Sequence, residues 1–228
     1  MAKYVLKFSK EGFFKYTSHL DLLRLFKRSF KRVDIKLAYS QGFNPHPKMG
    51  FAQPLSLGYS SIAEILEFET IKPMEATEIK EKLDAIMPTG LKIMDCTEYM
   101  LEGKSLAALT VSAEYLIGIP CEENALRNME IKEACESFLA QKCIIVQKRQ
   151  KKSKQMADVD IKNKIIKLDF SYLNNQLIIS TLLDAGSESN LSPELLIDAI
   201  IRFFDLEVSR YNIEVMRKKI NFSNGFSI

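Results

Sequence analysis

Apolar positions recur along the chain at two different spacings, and these spacings predict alternating strands and helices. Alternation at every second position predicts short strands, such as those at residues 4–8 and 63–71. Spacings of three and four predict amphipathic helices, the first at residues 19–32, with Thr17 or Ser18 as its N-cap. The pattern therefore predicts a protein that mixes α-helices with β-strands.

The predicted elements follow the same order in both halves of the chain. The first half has strands at residues 4–8, 35–39, 48–52, 63–71 and 91–100, and helices at 19–32 and 75–87. The second half has strands at residues 106–119, 143–149, 164–172, 176–183 and 207–220, and helices at 122–141 and 193–204. Each half is thus βαββαβ with one additional strand, which is the order of the ferredoxin-like split βαβ motif. We expect an α+β protein with two tandem ferredoxin-like domains and antiparallel sheets, at residues 1–102 and 103–228.

Composition narrows the class of protein and its compartment. The 228 residues are 46% hydrophobic and 27% charged, which is typical of a globular protein. No signal peptide and no apolar run long enough for a membrane span are visible, so we expect a cytoplasmic protein without a membrane partner. The cysteines are irregularly spaced and contain no CxxC pair, so we predict reduced thiols, no metal site and no cofactor.

Two clusters of basic residues stand out against a net charge of only +3. Local basic patches attract a polyanion such as RNA more than total charge does. The alternative for either cluster is an ordinary solvated surface that is rich in lysine. The first cluster lies on the polar side of the first predicted helix and consists of Arg24, Lys27, Arg28, Lys31 and Arg32. The second cluster lies within residues 147–154 and consists of Lys148, Arg149, Lys151, Lys152 and Lys154.

The segment at residues 40–48 (SQGFNPHPK) holds His46 between two prolines. Proline fixes its own φ and favours an extended conformation in the residue before it, so we predict a stiff, non-helical loop. Such a loop would display Gln41, Asn44, His46 and Lys48, although a purely structural turn is the alternative. Phe43 would either stack on an unpaired base or anchor the loop as a hydrophobic plug.

The chain contains only one other histidine, His19, at the predicted start of the first helix. Free backbone N–H groups favour anions at that position. We hypothesise that the two imidazoles meet in one cationic site. The predicted binding residues of this site are His19, Arg24, Arg28, Gln41, Asn44, His46 and Lys48, and Lys148, Arg149, Lys151 and Lys152 are candidates for a second basic contact.

Three motifs occur in an order that resembles the uncharacterised radical-SAM-linked domain family, in its standalone form. They are Tyr16-Thr17-Ser18-His19-Leu20-Asp21, Gly42-Phe43-Asn44-Pro45-His46-Pro47-Lys48 and Pro54-Leu55-Ser56-Leu57-Gly58. The resemblance implies a radical SAM protein encoded nearby as partner, and gene association implies a role in RNA or ribosome-related metabolism. The chain lacks the Cys-x3-Cys-x2-Cys ligands of a radical SAM enzyme, so it would be the partner and not the catalyst.

Three functions remain open on the sequence. The first is a non-catalytic module that binds RNA or presents a substrate to the radical SAM partner, without catalytic activity of its own. The second is an RNA-processing or RNA-modifying enzyme in which His19 and His46 act as general base and acid. The third is a protein-interaction subunit whose proline-containing loop docks on the partner.

Overall fold

The computed structural model describes residues 1–99, 103–122, 126, 130–150 and 154–228. The chain divides into two compact units. Unit 1 comprises Met1–Thr110 and Lys219–Ile228, and unit 2 comprises Val111–Lys218. The sequence pattern predicts a domain boundary between residues 102 and 103, with the last ten residues in the second domain. These residues instead return to unit 1.

Unit 1 is an antiparallel sheet with helices. Strand β1 lies between β3 and β4, and the short strand β2 pairs with β3. The elements in chain order are β1 (Ala2–Lys10), α1 (His19–Arg32), β2 (Met49–Phe51), β3 (Ser60–Thr70), α2 (Ala76–Asp84), β4 (Leu91–Glu98) and α3 (Leu106–Leu109).

The two faces of the unit 1 sheet carry different side chains because neighbouring residues of a strand point in opposite directions. One face packs against α1 and α2, and its core includes Leu6, Phe8, Leu66 and Phe68 together with Phe26 of α1. The opposite face holds a smaller cluster of Val5, Ile65, Leu106, Ile220 and Phe222. This division decides which polar side chains can meet.

Unit 2 has the strand order β10-β5-β9-β8 and a separate two-stranded sheet, β6-β7. Its elements are β5 (Thr110–Pro120), α4 (Ile131–Ala140), β6 (Ile145–Arg149), β7 (Met156–Asp160), β8 (Ile165–Leu173), β9 (Gln176–Asp184), α5 (Pro193–Phe204) and β10 (Glu214–Phe222). Strand β10 is divided between the units, since Lys219 and the residues after it belong to unit 1.

The observed elements confirm the α+β class, with sheets that are mostly antiparallel. Several predicted elements differ in extent. The predicted strand at 35–39 is reduced to isolated bridges, Leu37–Thr70 and Tyr39–Pro47. Residues 106–109 form the short helix α3 because Ser105 caps it, its side chain accepting from the N–H of Ala108.

Further differences lie in unit 2. Helix α4 begins at Ile131, whereas the prediction began at residue 122. Strand β7 was not predicted, because it is only five residues long and just two half-buried apolar residues, Ala157 and Val159, alternate with its exposed aspartates. The hairpin that contains it depends on the Asp160 carboxylate, which accepts from the backbone N–H groups of Ile144 and Lys162 at 3.0 Å each. Among the described residues, no helix is both long and apolar enough to cross a bilayer.

Candidate functional site

Helix α1 begins as the sequence predicts, with Ser18 as its N-cap. The Ser18 hydroxyl accepts from the backbone N–H of Asp21 at 3.2 Å and donates to its carboxylate at 2.7 Å. Arg24 donates to the other carboxylate oxygen of Asp21 at 2.9 Å. The Ser18 hydrogen bond and then Arg24 lower the pKa of Asp21 below its ordinary value.

The outer side of α1 is a cationic surface, here called the cationic face. The buried side of the helix holds Leu22, Phe26 and Phe30, so the basic residues point to solvent. Of the five basic residues on this side of the helix, all within the described part of the chain, the structure gives an ion-pair partner only to Arg24. Positions four apart on a helix are separated by about 6 Å along its axis, so the charges form rows. The cationic face consists of Arg24, Lys27, Arg28, Lys31 and Arg32, all exposed.

The proline loop (residues 40–47) is closed by hydrogen bonds between its two ends. The backbone N–H of Ser40 donates to the carbonyl of His46 at 2.8 Å, and the N–H of His46 donates to the Ser40 hydroxyl at 3.0 Å. Just outside, the N–H of Lys48 donates to the carbonyl of Ala38 at 2.8 Å. Gly42 supplies a φ of 121° at the turn, a value that side-chain-bearing residues rarely adopt. The loop is therefore held in a defined shape.

Phe43 lies at the tip of the proline loop with its ring fully exposed. It does not act as the hydrophobic plug that the sequence left open as an alternative. Gln41, Asn44 and His46 are exposed in the same loop, and Tyr39 beside it is half exposed. The loop thus presents an aromatic ring together with polar side chains to solvent.

The two histidines are positioned by different parts of unit 1. The His19 ring packs edge-on against Phe51, with 5.1 Å between the ring centroids, and Phe51 pairs with Leu66 of β3. His46 lies in the proline loop, which ends just before Lys48 and strand β2. Within the described part of the chain, no ring contact joins the two imidazoles, so their convergence on one site stays a prediction.

Lys48 is also separated from the cationic face. Its Nζ donates to the Glu69 carboxylate at 2.7 Å. Glu69 and Glu67 alternate with Phe68 on β3, and Phe68 faces α1, so the two glutamates point to the opposite side of the sheet. Of the predicted site residues, Arg24 and Arg28 share the cationic face, Gln41, Asn44 and His46 share the proline loop, and Lys48 belongs to neither.

Lys48 instead lines a polar groove of about 300 Å³ in unit 1. A second ion pair lines it, between Lys3 Nζ and Glu67 at 3.2 Å, and the Lys3 ammonium lies 4.8 Å from the centre of the Tyr99 ring. The other residues of the polar groove are Met49, Gly50, Phe51, Ala52, Phe68, Ser105 and Ala107.

Sequence reasoning did not select Lys3, Gly50, Glu67 or Glu69 for this site. The one available signal was that Glu67 and Glu69 share a face of their strand, which by itself is typical of solvated charge. Glu67 also accepts from the backbone N–H of Leu106 at 3.0 Å, 39 residues later in the chain. Contacts over such separations depend on the tertiary structure.

The second basic cluster is divided by the geometry of the β6-β7 hairpin. Lys148 and Arg149 are both exposed, but neighbouring strand residues point to opposite faces, so the two side chains diverge. Arg149 Nε donates to the carbonyl of Lys154 at 3.2 Å. The predicted residues Lys151 and Lys152 lie outside the described residues.

Comparison with known proteins gives a family and a fold. A family model described as "Uncharacterized protein conserved in bacteria (DUF2344)" matches residues 3–193. No curated protein matches the chain.

Among solved structures, a chain in the "Crystal Structure of a Cbf5-Nop10-Gar1 Complex" has 11% identity and a TM-score of 0.52, covering 96% of this chain and 49% of that one. The present chain thus spans about half the length of that protein. The "Crystal Structure of an Unknown Protein from Galdieria sulphuraria" has 12% identity and a TM-score of 0.29, covering 94% and 95% of the two chains. At these identities, the first similarity concerns the fold alone.

Proposed function

The chain belongs to the DUF2344 family of uncharacterized bacterial proteins, and from the surfaces of unit 1 we propose that it is a non-catalytic RNA-binding module. The observation that carries the proposal is the cationic face of α1, where five basic side chains are exposed and, among the described residues, only Arg24 has an ion-pair partner, Asp21. Arginine engages phosphate bidentately, while lysine supplies point charges. Rows of such cations match the repeating phosphates of a nucleic acid backbone.

The proline loop adds a contact of a different kind. Base–aromatic stacking favours unpaired bases because a duplex keeps its bases stacked on one another. The exposed Phe43 ring, on a loop closed by the Ser40–His46 hydrogen bonds, supports a preference for single-stranded RNA. No contact between His19 and His46 among the described residues supports the alternative in which both act on one substrate.

Charge reversal on α1 tests the role of the cationic face. The experiment measures binding of a fluorescent single-stranded RNA by anisotropy between 50 and 200 mM salt. If three or four phosphates are contacted, affinity should fall about 20- to 50-fold over that range. The double variant Arg28→Glu/Lys31→Glu should weaken binding at least about tenfold and flatten the salt dependence.

The matched control is Lys92→Glu/Lys132→Glu, which changes net charge equally at exposed positions of other elements, β4 and α4. It should bind RNA nearly as the wild-type protein does. Equal losses in the two double variants would mean that total charge and not the cationic face governs binding. Absence of binding to any RNA at 50 mM salt would refute the proposal.

Replacing Phe43 with Ala tests the loop separately. Loss of one stacked base should weaken single-stranded RNA binding by about 5- to 150-fold without changing the salt slope, because stacking releases no counterions. Phe13→Ala, at another largely exposed phenylalanine, is the matched control and should have no effect. An unchanged affinity for Phe43→Ala would remove the loop from the RNA-binding surface.

We extend the proposal to the partner, compartment and detailed fold. The resemblance of the three motifs supports a radical SAM protein as partner, and the free state of all four cysteines supports the reducing cytoplasm. In unit 1 the first strand lies between the third and the fourth, and the order of unit 2 is equivalent, which supports two ferredoxin-like units.

Co-purification tests the proposed partner. The radical SAM protein should co-purify with the wild-type chain, but not with a chain whose proline loop is replaced by glycine and serine, if the loop mediates docking.

A further inference from the structure

The polar groove of unit 1 is open because its lining residues are small. Gly50 pairs with Glu67 across β2 and β3, and a Cβ added at Gly50 would meet no atom within 4 Å. Ala52, Ser105 and Ala107 also line the groove. Its volume of about 300 Å³ is at the small end of the range for ligand sites, which is enough for one ring system.

The charges of the groove balance. Lys48 pairs with Glu69 at 2.7 Å, and Lys3 pairs with Glu67 at 3.2 Å. An ammonium group has three N–H donors and a carboxylate accepts about four hydrogen bonds, so each pair uses only part of its capacity. Both pairs are partly shielded from solvent, with side-chain exposures from 18% to 38%. The groove therefore offers donors directly beside acceptors in a partly desolvated space.

This arrangement selects among ligand classes. A phosphate group would meet no net positive charge, because each ammonium is already paired with a carboxylate. A zwitterion would have to separate the existing ion pairs to satisfy its own charges. A neutral ring with an N–H beside a carbonyl instead adds to both partners of one pair, since the carboxylate accepts from the N–H while the ammonium donates to the carbonyl.

We propose that the polar groove binds a nucleobase that presents an N–H next to a carbonyl, as guanine and uracil do. Lys48 and Glu69 contact this edge, and Lys3 and Glu67 line the remainder of the groove. The base can come from a free nucleoside or from an unpaired position in RNA. The second source rests on the proposed RNA-binding function, and the first does not.

The experiment titrates guanosine, uridine, 1-methylguanosine and 3-methyluridine into the full chain and follows binding by ligand-observed NMR. Guanosine and uridine should bind at least about tenfold more tightly than the methylated nucleosides, which lack the ring N–H, because one well-placed pair of hydrogen bonds discriminates by about that factor. Gly50→Val fills the groove and should abolish binding. The new side chain has open space and its backbone needs no positive φ, so the thermal transition should be unchanged.

Two further arms separate this inference from the proposed function. Arg28→Glu/Lys31→Glu should weaken RNA binding but leave nucleoside affinity unchanged. Short single-stranded RNA of uracil should lose affinity in Gly50→Val more than RNA of 3-methyluracil does. Loss of guanosine and uridine binding in Glu69→Gln, whose amide replaces an acceptor by a donor, identifies the ion pair as the contact.

The inference is overturned if no nucleoside binds at millimolar concentration, or if Gly50→Val binds nucleosides as tightly as wild type. It is also overturned if 1-methylguanosine and 3-methyluridine bind as tightly as guanosine and uridine. RNA binding that persists in any of these cases leaves the proposed function standing. Nucleoside binding without RNA binding removes the proposed function and assigns the groove to a free ligand.

Discussion

Individual residues determine several sharp turns of this chain, and Gly90 is the clearest case. Its φ is 98°, and an added Cβ would lie 2.8 Å from the carbonyl oxygen of Glu11. The Glu11 N–H donates to the carbonyl of Gly90 at 2.8 Å, so the two backbones are held together. Only glycine fits a position with both a positive φ and so close a backbone neighbour.

Gly90→Ala should therefore lower the free energy of unfolding by about 2–3 kcal/mol, from backbone strain together with the clash. Gly12→Ala is the control, since Gly12 has a φ of 56° but no atom near its would-be Cβ. That variant should lose about 1 kcal/mol from strain alone. Equal losses in urea denaturation would show that the contact with Glu11 has no energetic effect.

The N-cap of α1 makes a prediction about protonation. Since the Ser18 hydrogen bond is the largest cause of the lowered pKa of Asp21, Ser18→Ala should raise that pKa towards its ordinary value. A carboxyl group with a lowered pKa stabilises the fold above its unfolded pKa, and this contribution is lost as pH falls through the folded pKa. The pH dependence of stability at acidic pH should therefore be shallower in the variant.

An NMR titration of the Asp21 carboxyl carbon measures this shift directly. Ser192→Ala removes the equivalent cap of α5 and should leave Asp21 unchanged. A Ser18→Ala protein in which Asp21 titrates as in the wild type would assign the lowered pKa to Arg24.

At the scale of elements, amphipathic spacing predicted α1 correctly over its whole length, residues 19–32. Local capping and a strong alternation of apolar and polar positions suffice for such a helix. The β6-β7 hairpin was only half predicted, because β7 is too short for a clear alternation and its end is held by Asp160, whose partners Ile144 and Lys162 flank both strands. No periodicity encodes that contact.

The buried side of α1 should account for much of the stability of unit 1. Phe26 is fully buried and packs against Phe8, Phe30 and Phe51. Phe26→Ala should lower the free energy of unfolding by about 3–5 kcal/mol because it leaves a cavity. Phe13→Ala removes the same ring at an exposed position and should change stability by less than about 0.5 kcal/mol. A similar small loss for Phe26→Ala would mean that the surrounding rings collapse into the space.

At the scale of the whole molecule, the chain returns to unit 1 after completing unit 2. Ile220 and Phe222 join a cluster with Val5, Ile65 and Leu106, which precede them by more than a hundred residues. Residues of the same strand up to Lys218 belong to unit 2. A boundary drawn from local sequence cannot anticipate this return, because nothing near residue 219 signals it.

Two substitutions on β10 test this division. Ile220→Ala should reduce hydrogen-exchange protection mainly in unit 1, and Val215→Ala, five positions earlier, mainly in unit 2, because each removes buried methyl groups from a different core. Amide exchange measured under native conditions resolves the two units. Equal loss of protection throughout the chain for both variants would contradict the separation.

The sequence alone determined the features that depend on neighbouring residues: the capped, cationic helix α1 and the stiff proline loop. Their backbone angles follow from capping, helical spacing and the restrictions that proline imposes. The pairing of Lys3 with Glu67 and the full exposure of Phe43 arose only in the folded chain. Strand register and the choice of sheet face bring together residues that are far apart in sequence, and no local pattern encodes them.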